Sequence, residues 1–180
     1  MIFEHTQIPG VCLIKPERIS DDRGFFARIW CVREFEVAGL STNIVQTNLS
    51  VSKKKGTLRG LHYQRGTHAE VKLVRCPRGA IYDVAVDLRP DSPTYKEWVG
   101  VDLNEDNGHM LYVPEGCAQG LLTLTDQTEI YYHTSAEYSS QAATGIRYDD
   151  PAFSIKWPET VYVISAQDKS WPDYSASTPR

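Results

Sequence analysis

Short β-prone runs recur along this 180-residue chain, with Gly, Pro, Asn or Asp between them, and that rhythm limits what it can fold into. Strand candidates are residues 11–14, 24–30, 71–76, 80–88, 96–103, 110–113, 120–124 and 128–133. Pro77-Arg78-Gly79 reads as the turn between the third and fourth of these. The alternation in Asp83-Val84-Ala85-Val86-Asp87-Leu88 predicts a sheet with one face buried. Helix is scarce: residues 33–40 suit one short helix, with Gly39 as its stop. Many short strands separated by turns imply a sandwich or barrel, and the jelly roll is one such solution. No linker, repeat or low-complexity tract interrupts the chain, so 1–180 reads as a single domain, with the Trp- and Pro-rich segment from Pro151 onward wrapped around it.

The composition excludes several classes. A net charge of −4 argues against a general affinity for nucleic acid. No apolar run approaches the roughly 20 residues of a membrane helix, and Met1-Ile2-Phe3-Glu4-His5 lacks the basic start and apolar run of a signal peptide. Cys12, Cys31, Cys76 and Cys117 are widely spaced and form no CxxC pair, as expected of reduced thiols in a cytoplasmic protein.

Two blocks of the chain resemble the cupin signature, which is built to present metal ligands. The first contains Gly56, His62, Gln64, Lys72 and Gly79, and the second Gly108, Pro114, Gly116 and Gln119. The ligand positions are therefore occupied by His62, Gln64, Lys72 and Gln119. One imidazole, two amides and an ammonium bind a transition metal poorly, and Lys72 repels the cation. No metal site is expected; the pocket reads as one refitted for acid–base chemistry, in an all-β, cupin-type double-stranded β-helix (jelly roll) with short peripheral helices.

Several side chains suit that chemistry. Strand alternation puts His62 and Gln64 on one face and Tyr63 on the other. An imidazole titrates near neutrality and suits a general base, which makes His62 the first candidate. Lys72 interrupts the apolar run Val71-Lys72-Leu73-Val74; facing inward, it needs an anion, which a substrate oxyanion or phosphate can provide. Of Tyr131 and Tyr132, only one can face a pocket, where a phenol can donate a proton to a developing carbanion. Asp168, if it reaches His62, orients the imidazole. Arg23, Arg59 and Arg75 match phosphate geometry and, with Lys72, suit a diphosphate. Neither a P-loop nor GxGxxG is present.

The same residues resemble the dTDP-4-dehydrorhamnose 3,5-epimerase family over nearly the whole chain. The likeness runs through Asp22-Arg23-Gly24, Gln46-x-Asn48-x-Ser50, Leu58-Arg59-Gly60-Leu61-His62-Tyr63-Gln64 and Lys72-Leu73-Val74-Arg75. It continues through Asp83-Val84-x-Val86-Asp87-Leu88-Arg89, Ser92-Pro93-Thr94, Pro114-x-Gly116, Asp150-Pro151, Trp157-Pro158 and Ser165-x-x-Asp168. The resemblance implies a cofactor-free jelly roll that is normally a homodimer and acts on a nucleotide-diphosphate sugar. It implies His62 as the base beside a C4 ketone, Asp168 as its partner, Lys72 at the enolate oxygen and Tyr132 as the proton donor on the opposite face. Arg23, Phe26, Gln46, Asn48, Arg59 and Tyr138 match nucleotide-contacting positions, and strands of one subunit can complete the partner's site.

Three departures stand out. Cys117-Ala118-Gln119-Gly120-Leu121 replaces the usual Phe-Ala-His-Gly-Phe, Arg28 stands where Glu is common, and Glu70 where Gln is common. Gln119 can hydrogen-bond but cannot ionise, which bears on substrate placement and the second epimerisation. The charge reversal at Arg28 bears on base recognition and leaves the nucleobase open. A 3,5-epimerase is the leading expectation. A 3- or 5-monoepimerase on another nucleotide-sugar, a nucleotide-sugar-binding cupin without turnover and, more distantly, a metal-dependent cupin dioxygenase are its rivals.

Overall fold

The computed structural model describes residues 1–174. Two sheets face each other, as a cupin-type jelly roll requires, and neither closes on itself. The first has the order β1 (Ile2–His5), β2 (Cys12–Lys15), β10 (Met110–Val113), β7 (Lys72–Arg78), β12 (Thr128–Thr134) and β5 (Gln46–Ser52). The second runs β13 (Ala143–Gly145), β6 (Thr57–Gln64), β11 (Cys117–Thr123), β8 (Ala80–Asp87) and β9 (Trp98–Asn104), and β14 (Val163–Ile164) adds to β6 in parallel. A separate hairpin pairs β3 (Arg18–Asp21) with β4 (Gly24–Ala27). The α-helices are α1 (Val32–Val37) and α2 (Ala166–Lys169).

Strand alternation explains the layers. Val74 and Cys76 of β7, Leu111 and Val113 of β10 and Ile130 of β12 meet Ile81 and Ala85 of β8, Leu103 of β9 and Leu121 of β11 between the sheets. The opposite face of β7 carries Leu73, which packs with Phe35 of α1, Cys12, Ile14 and Met110. On the outer face of the second sheet, Val84, Val86, Leu61 and Ala118 are covered by Phe153 and Tyr174, with Ile155 and Trp157 packed alongside. The segment from Pro151 thus wraps the sheet as expected, and it goes on to lend β6 a strand.

Three sequence expectations need correction. The run 24–30 is strand only as far as Ala27, because it folds back on β3 instead of joining a large sheet. Pro77 and Arg78 belong to β7, and Gly79, with φ +79°, makes the turn into β8. The alternation in β8 does not separate a buried face from an exposed one: Asp83 and Asp87 are as fully buried as Val84 and Val86. Asp87 is accounted for by Arg89, Ser92 and Thr94, which donate to its carboxylate and tie down the following loop. Burial first raises its pKa, but these donors outweigh it and hold the carboxyl at about 2. The short helix does stop at a left-handed Gly39, with φ +71°. Among the described residues no helix is long and apolar enough to cross a membrane.

Candidate active site

The interior is apolar toward β9 and β10 and polar toward β5 and β6. There, two adjoining cavities of about 440 and 170 Å³ share His62, Lys72 and Tyr132. The larger also reaches Gln46, Asn48, Gln64, Glu70, Tyr138 and Trp171; the smaller is bounded by Ser50, Arg59, Gln119 and Ile130.

His62 lies on β6 and Asp168 on α2, over a hundred positions away, yet His62 Nε2 stands 2.6 Å from Asp168 Oδ1. Ser165 caps α2 by accepting from the Asp168 backbone N–H at 3.0 Å, which fixes where that carboxylate begins. Asp168 Oδ2 accepts from the Gly60 N–H at 3.4 Å. Burial pushes the Asp168 carboxyl up, but the hydrogen bond and charge of His62, the Ser165 contact and the Gly60 N–H outweigh it and hold it below the usual carboxylate range. An ionised Asp168 assigns the proton of a neutral imidazole to Nε2, leaving the lone pair on Nδ1.

Arg59 is three residues from His62, and simple alternation would put it on the opposite face. The register between β6 and β11 shifts there: Gln119 pairs with His62, but Leu121 pairs with Arg59. Gly60 makes this possible, since with φ +123° a Cβ at that position would lie 2.5 Å from Gly120 Cα. Arg59 therefore faces the smaller cavity, its Nε donating to Ser52 Oγ at 3.0 Å and a terminal nitrogen to Val51 O at 3.1 Å.

Lys72, at the start of β7, points inward and is buried. Its Nζ donates to His62 O at 3.0 Å and lies 3.4 Å from Glu70 Oε1. Burial lowers its pKa, while Glu70 and Asp83 oppose the fall. Glu70 is held in turn by Gln64 Nε2 at 3.0 Å. Gln64 does more than line the cavity: it also donates to Glu137 O and accepts from the Ser139 N–H, which pins the loop carrying Tyr138.

Tyr132 is the inward member of its pair; Tyr131 is 42% exposed on the other face. Burial first, then the Glu70 charge, raise the Tyr132 phenol above its ordinary range, with Arg59 pulling the other way. His62 stands on the second sheet and Tyr132 on the first, so the two approach the cavity from opposite sides. Gln46 and Asn48 alternate inward along β5, and Gln46 Oε1 accepts from the Tyr138 N–H at 2.8 Å.

Not every expected residue arrives. Arg23 and Phe26 sit on the β3–β4 hairpin, 90% and 66% exposed, and neither borders these cavities. Arg23 pairs with Asp21, and Arg28 with Glu34 at 2.9 Å. Arg75 alternates away from Lys72 and shares an outer recess with Arg18, Phe25 and Phe26, so it is not part of a diphosphate set with Lys72. Sequence reasoning missed Asp83. It is fully buried, accepts from Gln119 Nε2 at Oδ1 and leaves Oδ2 without a partner. Its inward parity with Ala85 was the available signal. Among the described residues no three His, Cys, Asp or Glu side chains gather as metal ligands.

An imidazole–carboxylate pair facing a phenol across a cavity, beside a buried ammonium, is chemically equipped to move protons on and off carbon next to a carbonyl. In this fold that defines a cupin-type isomerase. The profile of the dTDP-4-dehydrorhamnose 3,5-epimerase family matches residues 5–176. The chain belongs to that family. It is 44% identical over 173 residues to the dTDP-4-dehydrorhamnose 3,5-epimerase of Sinorhizobium fredii, covering 96% of this chain and 89% of that one. The crystal structure of the Bacillus anthracis dTDP-4-dehydrorhamnose 3,5-epimerase with TDP and PPi bound superposes with a TM-score of 0.92 at 39% identity, covering 95% and 98% of the two chains. The Legionella pneumophila dTDP-6-deoxy-D-glucose-3,5-epimerase in complex with dTDP-4-keto-L-rhamnose gives a TM-score of 0.86 at 37% identity, covering 93% and 89%.

Proposed function

We propose that the protein is a 3,5-epimerase of a nucleotide-linked 4-keto-6-deoxyhexose, of the type that converts dTDP-4-dehydro-6-deoxy-D-glucose to dTDP-4-dehydro-L-rhamnose. The observation that carries this reading is the placement of the His62–Asp168 pair and Tyr132 on facing sheets, with Lys72 beside both. A C4 ketone acidifies the hydrogens on C3 and C5, because the carbanion delocalises onto oxygen. His62 Nδ1 takes that proton, and Asp168 stabilises the imidazolium that forms. The negative charge collects on O4, where Lys72 meets it as a preformed cation. Tyr132 returns a proton to the other face of the same carbon; solvent then reprotonates the phenolate and takes up the proton held by the His62 imidazolium. The raised Tyr132 pKa suits this role, since the phenol must carry its proton until the carbanion takes it. The chemistry is redox-neutral and calls for no cofactor.

Gln46, Asn48, Arg59 and Tyr138 border the cavities and suit the nucleotide. Arg23 and Phe26 on the β3–β4 hairpin and Arg28 just after it are exposed and suit a second copy's site, so the working form is a homodimer. The outward face of β5 and β12 supports this, because Leu49, Val51 and Tyr131 expose an apolar strip there. Mixing Arg23→Ala with His62→Ala protein tests the arrangement: activity regained in the mixture supports shared sites, and none regained argues against them. The protein works in the cytoplasm on this reading.

The function is tested in D₂O with freshly made dTDP-4-keto-6-deoxyglucose, followed by NMR. Loss of both the C3 and C5 proton signals with rhamno-configured product is expected. Exchange at one carbon supports a monoepimerase, which the amide at Gln119 favours. Tight binding without exchange, over CDP-, UDP- and GDP-linked analogues as well, supports a binding cupin.

A further inference from the structure

We infer that Gln119 reads the sugar: its side-chain carbonyl, turned into the cavity by Asp83 behind it, accepts a hydrogen bond from a substrate hydroxyl next to the reacting carbons. The inference rests on the epimerase reading of the same cavity and adds a recognition element to it.

The geometry begins with the two ends of an amide. Gln119 Nε2 donates to Asp83 Oδ1. With its NH₂ end held by the carboxylate, the Oε1 end faces the other way, and Gln119 forms part of the wall of the smaller cavity beside His62 and Lys72. Gln119 is also the cross-strand partner of His62, so its amide stands next to the imidazole that takes the proton. Two of Lys72's three donors are directed at His62 O and Glu70, and the third is left for the ligand. A carbonyl accepts and does not donate. It therefore favours an O–H group, and a sugar lacking that hydroxyl would leave Oε1 unpaired in a closed site.

Asp83 makes the orientation conditional. Burial pushes its pKa up to about 7, with the Gln119 hydrogen bond and the Lys72 charge opposing the rise. The groups packed against it are Lys72 and Cys76 of β7 and Gln119 of β11, while β9 meets it through uncharged Val101. Once protonated, Asp83 can donate to Gln119 Oε1. The amide then turns over and offers its NH₂ to the cavity. The hydroxyl preference thus belongs to the ionised form and fades as pH falls through about 7.

The test compares dTDP-4-keto-6-deoxyglucose with its 2-deoxy and 3-deoxy analogues, read as kcat/KM for C5 exchange and as Kd. The wild type is expected to favour the parent over one analogue by roughly 10–100-fold above neutrality. Gln119→Met should bring that ratio close to one. If Gln119→Met does not fold, Gln119→Asn keeps the amide but withdraws it by one methylene, and should also lower the ratio. Asp83→Asn, which can donate as well as accept and so resembles the protonated form, should weaken the preference and remove its inflection with pH. An undiminished ratio in the Gln119 variant overturns the inference, and an inflection persisting in Asp83→Asn overturns the part given to Asp83. Absence of exchange in the wild type would instead count against the epimerase reading, and the Kd ratios would still decide the role of Gln119.

Discussion

Two buried aspartates stand at the two ends of the His62 neighbourhood, and they behave oppositely. Asp168 and Asp83 are 5% and 0% exposed, so burial alone would raise both. Asp168 is pulled below the normal range, because the His62 imidazole, the Ser165 side chain and the Gly60 N–H outweigh its burial. Asp83 rises to about 7, because its close partner is a neutral amide and one of its oxygens has none. The difference teaches that partners, more than depth, decide which carboxyl stays charged. On the proposed reading, the charged one supports the base. The other holds a side chain in place and can change state near neutrality.

The largest way to break this comparison is to remove the group Asp168 serves. His62→Ala should reduce C–H exchange with solvent on the order of 10²–10⁴-fold; undiminished exchange by NMR would sink its assignment as the base. Lys72→Met should lower kcat on the order of 10²–10³-fold, as expected for loss of a preorganised cation at an oxyanion. In the wild type, activity should fall on the alkaline side at a pH below the ordinary lysine value, because burial lowers the Lys72 pKa and the ammonium is the working form. Asp168→Asn keeps an acceptor but loses the charge, and should cost roughly 10–100-fold in kcat/KM.

The smallest effect sharpens the comparison most. Between about pH 4 and about pH 7, native Asp83 holds a proton that the unfolded chain has released, so its share of stability falls as pH rises through that window. Asp168 has the opposite sign: its contribution is present above the unfolded carboxylate value and is lost as pH falls through its depressed folded value. Melting temperatures of Asp83→Asn and Asp168→Asn against pH should therefore diverge from wild type in opposite directions. Parallel curves would show that the two carboxyls are not distinguished by their partners.

The legible part of this protein was whatever depends on neighbours in sequence. The strands 71–76, 80–88, 96–103, 110–113 and 128–133 appear within a few residues of where turn residues and β-branched runs place them. The two-residue period of a strand allowed only one of Tyr131 and Tyr132 to face a pocket and put His62 and Gln64 on one face; that Tyr132 is the inward one was implied by the family resemblance. Arg59 was harder, because a register shift at Gly60 breaks that period, and Arg75 was misplaced in the diphosphate set although its parity already set it apart from Lys72. Asp83 escaped notice because alternating aspartates suggest a solvated face, and only a second sheet lying over that face buries them.

By itself, the order of residues determined the strand rhythm, the depleted metal-ligand pattern and the chemical kinds of side chain available, because these depend on local backbone preference and on ligand chemistry. Tertiary structure alone decided that Asp168 reaches His62 across 106 positions, that Gln119 meets Asp83, and that Arg23, Phe26 and Arg28 lie outside this chain's own cavity. The physical reason is that hydrogen bonds and charge effects act over a few ångströms in space. Such distances are set by how sheets pair, shift register and stack, and separation along the chain does not encode them.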